Sequence, residues 1–243
     1  MGIVKSSEDS ALRQAFTEIQ DCITSELNKA IMRNPLNLSS NHPIGHKTVS
    51  EVGGRFIEDY LTSSLEGFFK NHGRYEFQAT TSRSLGDFVV EERQSDAHRI
   101  YFDVKAQHLS IREKTYEFYK AKKIDAKKPG ESHPNLISFE KAKDFFTDIR
   151  RSREDIAFVM IHYDPKIVDG DVYFNLKPLD KHSIFLLRDI GEENLSFGNL
   201  GKGQVQLKRI SNIRIKKRSK QEFVDFISIL ASKPRATRAT SRN

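Results

Sequence analysis

The sequence predicts an α/β (α+β) protein, a mixed β-sheet flanked by helices. Three observations carry that expectation: helical apolar stripes at both ends of the chain, short Val-, Ile-, Tyr- and Phe-rich runs between them, and turn-forming clusters dividing the runs. With 243 residues, 37% hydrophobic and 30% charged, the chain is long enough to bury a core as one domain, 1–243, and neither a repeat nor a linker divides it. No apolar run approaches the roughly 20 residues that cross a bilayer, so no membrane partner is expected. The single cysteine, Cys22, excludes an internal disulfide and a thiolate zinc site, and no signal segment opens the chain. An intracellular, reducing compartment is the expectation.

In chain order, residues 7–31 place Leu12, Phe16, Ile19, Ile23, Leu27 and Ile31 on one helical stripe, preceded by a serine and early acids. Residues 34–46, rich in Asn, Pro, Ser and Gly, read as a loop. A second helix spans 48–71, with Val52, Phe56, Tyr60, Leu61, Leu65 and Phe68 on one side; Gly53 and Gly54 weaken it and permit close approach of another backbone. The period then changes, and 75–80, 87–91 and 99–106 read as strands. A lysine-studded connection over 109–131 leads to a helix at 139–152. Residues 155–163, with Ile156, Phe158, Val159, Met160 and Ile161, form the most apolar strand and are expected at the centre of the sheet. Strands at 172–176, 184–187 and 205–210 and a closing helix at 221–231 complete the chain.

Most of the functional information lies between Ser84 and Ala106. If the strands flanking a turn centred on Ser95 pair antiparallel, residues whose numbers sum to about 190 face each other. Asp87 then lies opposite Asp103, and Lys105, two residues on, shares its face. Two carboxylates in contact repel, which raises one pKa unless a cation intervenes. Mg²⁺ suits such a site, because it commonly binds one or two carboxylates plus waters and substrate phosphate. An ammonium beside that ion can hold a phosphate or favour ionisation of an attacking water. Spacing alone equally admits an ordinary surface ion pair. The triplet Asp-any-Lys recurs at Asp125–Lys127, in a lysine-rich stretch without a strand, and at Asp164–Lys166, where Pro165 is expected to interrupt pairing.

At these residues the chain resembles the PD-(D/E)xK nucleases, in particular type II restriction endonucleases of the EcoRV-like branch. Gly86-Asp87 stands where the family often has Pro-Asp, and Asp103-Val104-Lys105 matches its second half. Glu58 precedes Asp87 on a helix at a spacing similar to that of the branch. Pro134-Asn-Leu-Ile-Ser-Phe139 and Leu200-Gly-Lys-Gly-Gln-Val-Gln-Leu-Lys208 also resemble segments of its members. The resemblance implies a restriction-endonuclease-like fold and Mg²⁺-dependent hydrolysis of double-stranded DNA at a short sequence, by a homodimer, leaving 5′-phosphate and blunt ends. It further implies Asp87 and Asp103 as metal ligands, Lys105 as the group assisting water or phosphate, and Glu58 as an accessory carboxylate near a second cation. A cognate DNA methyltransferase and a bacterial cytoplasm follow from the same likeness.

DNA contacts are expected from two loops and one charged segment. The glycine-rich stretch from Ser196 to Gln206 offers Asn199, Lys202, Gln204 and Gln206 for base edges; Lys suits guanine, Asn or Gln suits adenine. It lacks the Gly-Lys-Ser/Thr ending of a nucleotide loop. Thr81, Ser82 and Arg83, just ahead of Asp87, are placed to run along the minor groove, though a plain hydrophilic turn explains them as well. Of the net charge of +7, residues 207–243 hold eleven basic side chains, Lys208 among them, against Glu222 and Asp225. Such a basic segment suits a polyanion, with the last ten residues read alternatively as a solvated tail. The eight histidines show no zinc-binding helical spacing. Two other functions fit the same residues: a structure-specific repair or recombination nuclease, and a non-catalytic DNA-binding module.

Overall fold

The computed structural model describes residues 2–33, 36–38, 46–80, 85–94, 97–108, 135–168, 171–197, 203–208 and 213–232. Helix α1 (Gly2–Arg33) carries Leu12, Ile19, Ile23 and Leu27 completely buried, as the 3.6-residue stripe requires. Helix α2 (His46–Lys70) buries Ile57, Leu61, Leu65 and Phe69 completely, so its stripe is turned from the expected side: Ile57 and Phe69 join it, while Phe56, Tyr60 and Phe68 are only partly buried at its margin. Both pack on one face of the main sheet, against Phe88, Val90, Ile100, Phe102, Val104, Ala157, Val159 and Ile161. Each fully buried aliphatic side chain contributes about 1.5–3 kcal/mol, so this face accounts for much of the fold's stability. Gly53 allows α2 to approach: a Cβ there would lie 2.4 Å from the Phe174 ring. The close neighbour is thus an aromatic side chain rather than a backbone.

The main sheet has seven strands: β1 (Leu36–Leu38), β2 (Tyr75–Ala79), β3 (Phe88–Glu92), β4 (Arg99–His108), β6 (Glu154–Val168), β7 (Asp171–Leu176) and β8 (Ile184–Leu186). Its order is β1-β7-β6-β4-β3-β2, with β8 on β6. β4 and β6 run parallel and the other pairs antiparallel, so the sheet is mixed and the expected α+β class is what the chain adopts. β6 sits at the centre because both faces of its apolar run are covered: Ala157, Val159 and Ile161 by α1 and α2, and Ile156, Phe158 and Met160 by the opposite layer. That layer consists of α3 (Phe139–Thr147), α4 (Lys220–Ser232) and a small antiparallel sheet of β5 (Asn135–Ser138), β10 (Gln204–Leu207) and β9 (Leu195–Phe197), in the order β5-β10-β9.

Several expected boundaries move. The segment read as a loop over 34–46 contributes β1, paired with β7. β6 does not stop before Pro165; it continues to Val168, pairing Pro165 with Phe174. The parallel ladder to β4 ends at Tyr163, so beyond it the proline's missing N–H interrupts no described ladder. The helix expected over 139–152 ends at Thr147, because Asp148 turns extended and its carboxylate accepts from the Arg150 N–H, opening a short 3₁₀ turn. The lysine-rich connection 109–131 lies outside the described residues.

A buried polar network joins the two ends of the chain. Asp155 on β6 and Arg188, both 0% exposed, pair at 2.7 Å, and a second guanidinium nitrogen lies 2.7 Å from Asp9 on α1. Arg13 on α1 reaches Asp189 at 2.5 Å, and Arg188 and Arg13 both donate to the Arg218 carbonyl. Arg218 itself is buried, its guanidinium donating to the Ile190 carbonyl at 2.7 Å. Lys216 pairs with Glu192 and Arg214 with Glu193. Arg218 is therefore committed to the fold, whereas Arg214 and Lys216 make their ion pairs on the exposed surface.

Removing one member of a buried ion pair strands the other's charge, at a cost of about 3–5 kcal/mol. Arg188→Met is expected to lower the urea-unfolding free energy by about that amount at pH 7. Adding Asp155→Asn should recover part of the loss. An Arg188→Met chain as stable as the parent would show that the network contributes nothing.

Candidate active site

The β3–β4 hairpin adopts the register read from the sequence. Phe88↔Phe102, Val89↔Tyr101, Val90↔Ile100 and Glu91↔Arg99 face each other, and continuing the ladder by one residue brings Asp87 to Asp103. Asp87 is fixed there twice. Its backbone N–H donates to the Phe102 carbonyl at 2.7 Å, and its carboxylate accepts the Val104 N–H at 2.7 Å, so it straddles Asp103. Gly86 makes this possible: a Cβ there would stand 2.4 Å from the Phe102 carbonyl oxygen. Thr80 holds the residues before β3 by donating its N–H to the Asp87 carbonyl and its hydroxyl to the Gly86 carbonyl.

Lys105 shares the face of Asp103 and donates to its carboxylate at 2.8–2.9 Å. Burial pushes the Asp103 carboxyl up to about 7, the neighbouring Asp87 adding to the rise and Lys105 opposing it. Glu58 on α2 reaches in from the other side and accepts the Ala106 N–H at 3.3 Å; its carboxyl is also raised, by burial first and by Asp87 as well. Glu58, Asp87 and Asp103 line one pocket of about 670 Å³. Opposite them stand Leu136, Ile137 and Ser138 of β5, Lys141 of α3 and Gln204 of β10.

Among the described residues no three His, Cys, Asp or Glu side chains converge closely enough to enclose an ion. The oxygen donors of Asp87 and Asp103, backed by the strong preference of Asp103 for a compensating charge, nonetheless fit a hard divalent cation that keeps most of its waters. They do not fit zinc, which selects nitrogen and sulfur donors in a closed tetrahedron.

Of the expected DNA contacts, Gln204 lines the pocket and Gln206 is on β10, its side chain donating to Asn135 at 2.7 Å. The Lys208 N–H donates to the Asn194 carbonyl. The described ends of the stretch pair antiparallel, Val205 with Phe197 and Gln206 with Ser196, and Gly203 enters β10 at φ +63°. Asn199, Lys202, Thr81, Ser82 and Arg83 lie outside the described residues. Sequence reasoning missed Arg55, Ser138 and Lys141, which join the pocket from α2, β5 and α3. A polar residue on a helix carries no local mark of such a role, although Ser138 falls in the segment 134–139 already noted for its resemblance.

No protein-family model matches the chain, and no curated protein does. Among solved structures 60 chains match. One is the NlaIV restriction endonuclease, similar at 15% identity with a TM-score of 0.48, over 92% of this chain and 82% of that one.

Because the Asp103 carboxyl is raised from 3.8 to about 7, its ionisation opposes folding. The opposition is absent below about pH 4 and complete above about pH 7. In chelator-treated protein, Asp103→Asn should therefore stabilise the fold at pH 8, by up to about 4 kcal/mol less the lost bond to Lys105, and by little at pH 4, read by urea unfolding at both. Equal effects at the two pH values would contradict the electrostatics of the site. Gly86→Ala, which must displace the Phe102 backbone, should cost about 1–3 kcal/mol in the same assay.

Proposed function

We propose that the chain is a type II restriction endonuclease with a restriction-endonuclease-like fold of the EcoRV-like branch. It hydrolyses phosphodiester bonds of double-stranded DNA at a short specific sequence with Mg²⁺ and leaves blunt ends carrying 5′-phosphates. The observation behind this reading is that Asp87 and Asp103 meet beside Lys105 at the edge of an open pocket. In this reading Asp87 and Asp103 hold Mg²⁺, and Glu58 is an accessory carboxylate near a second cation. The ion, when bound, supplies Lewis-acid stabilisation of charge on the phosphorus oxygens and lowers the pKa of a bound water.

The chain's own groups do the rest. Lys105 places an ammonium beside Asp103, where it holds an anion, either the scissile phosphate or the incipient hydroxide. Leu85, Leu136 and Ile137 in the pocket wall lower the local dielectric and so strengthen each of these charge interactions. Gln204 and Gln206 on β10, Lys208 just after it, and Asn199, Lys202, Thr81, Ser82 and Arg83 supply contacts to bases and backbone. A twofold homodimer matches a palindromic site, since each half-site then meets the same surface. A DNA methyltransferase protecting the same sequence and a bacterial cytoplasm complete the reading.

Purified protein incubated with a phage genome should give discrete fragments with Mg²⁺ and none with chelator. Asp103→Ala and Lys105→Ala should each lower cleavage by a hundred- to a thousand-fold or more, while duplex affinity changes only a few-fold. Full activity in either variant would remove the site assignment. A smear, or cutting confined to branched substrates, would instead indicate a structure-specific nuclease, and binding without cleavage a non-catalytic module.

A further inference from the structure

The small sheet has two unlike faces. Val205 and Leu207 of β10 are buried with Ile137 and Leu195, so Gln204 and Gln206 project to the other side. Pairing runs Gln204↔Ser138 and Val205↔Ile137, and a regular ladder would next set Leu136 opposite Gln206. The register shifts between Val205 and Gln206 instead, and Asn135 takes that position while Leu136 is buried. Bulges re-aim a side chain and recur beside active sites. This one exchanges a leucine for an amide next to Gln206.

The two amides bond to each other, with Gln206 Nε2 donating to Asn135 Oδ1 at 2.7 Å on an exposed surface. The bond uses Gln206 Nε2 and Asn135 Oδ1, which leaves the Gln206 Oε1 acceptor and the Asn135 Nδ2 donor of the same exposed pair to meet a further partner. Exchanging oxygen for nitrogen in both amides leaves the same remaining set, so the outcome does not depend on how the amides are oriented. In the major groove adenine presents one acceptor, N7, and one donor, N6, whereas guanine presents two acceptors. Gln204, two residues or ~7 Å before Gln206 along the strand, lines the pocket that holds Asp87 and Asp103.

We propose that Asn135 and Gln206 act as one composite amide that reads a single adenine in the major groove, beside the cleaved phosphodiester. This specificity role rests on the DNA-cleavage reading above. It adds Asn135 to the recognition surface and commits the recognised sequence to an A·T pair.

The test is to sequence the fragment ends released from a phage genome by the parent chain and by Asn135→Ala, Gln206→Ala and Gln206→Glu, with thermal unfolding as the folding control. The parent consensus should contain an A·T pair. Either alanine variant should relax that one position, raising cleavage at sites with another pair there ten-fold or more relative to the parent site. Gln206→Glu, which leaves acceptors only, should shift the preference toward cytosine, whose N4 amine donates. A parent consensus made only of G·C pairs, or folded variants that keep the parent consensus and relative rates, would overturn the inference while the nuclease reading stands. A parent chain that cuts no DNA would instead overturn the nuclease reading, and this inference with it.

Discussion

The register that locks β3 to β4 and β4 to β6 is the constraint on which the rest depends. Alternate residues of these strands, Phe88, Val90, Ile100, Phe102 and Val104, are buried beneath α1 and α2, which leaves the intervening positions, Asp103 and Lys105 among them, to the opposite face. A slip of one residue would exchange the two sets and drive a carboxylate and an ammonium into an apolar layer. Burial of five large side chains therefore decides where the charged groups stand. Asp87 adds a local lock, because its backbone and its carboxylate both bond to residues flanking Asp103.

Two buried acids show how differently the fold treats charge. Asp155 is wholly enclosed and matched by Arg188, a planar cation that also reaches Asp9 and the Arg218 carbonyl. That arrangement joins α1, β6 and the carboxyl-terminal stretch, and neither Asp155 nor Arg188 lines the pocket that Asp103 faces. Asp103 is almost as buried, yet its neighbours are one lysine and a second acid, and it faces a pocket. The first is compensated within the protein. The second is left in deficit where a cation can enter, and buried titratable groups of this kind are frequent at functional sites.

Composition alone did not separate the roles of the basic residues in the carboxyl-terminal segment. Eleven basic side chains over 207–243 read as a surface for polyanions, but Arg218 is buried and donates to main-chain carbonyls, and Lys220 donates to those of Arg151 and Ser152. A count of charges does not distinguish a guanidinium facing solvent from one that satisfies carbonyls inside the fold; that depends on which loops pack together.

Local pattern fixed a great deal without any tertiary information. The apolar stripes of α1 and α2, the doubly covered centre strand, and the pairing that sets Asp87 against Asp103 are all consequences of side-chain period, because 3.6- and 2-residue repeats dictate which positions share a face. The tertiary structure alone decided what long-range neighbours impose. It recruited residues 36–38 into the sheet edge, allowed β6 to pass through Pro165 where the parallel partner ends, and paired β10 with β9 on one side and, across a bulge, with β5 on the other. It also brought Glu58, Ser138, Lys141 and Gln204, distant in the chain, around one pocket. Period determines the face a residue presents, whereas the partner on that face is set by chain closure over more than a hundred residues, and no local pattern encodes it.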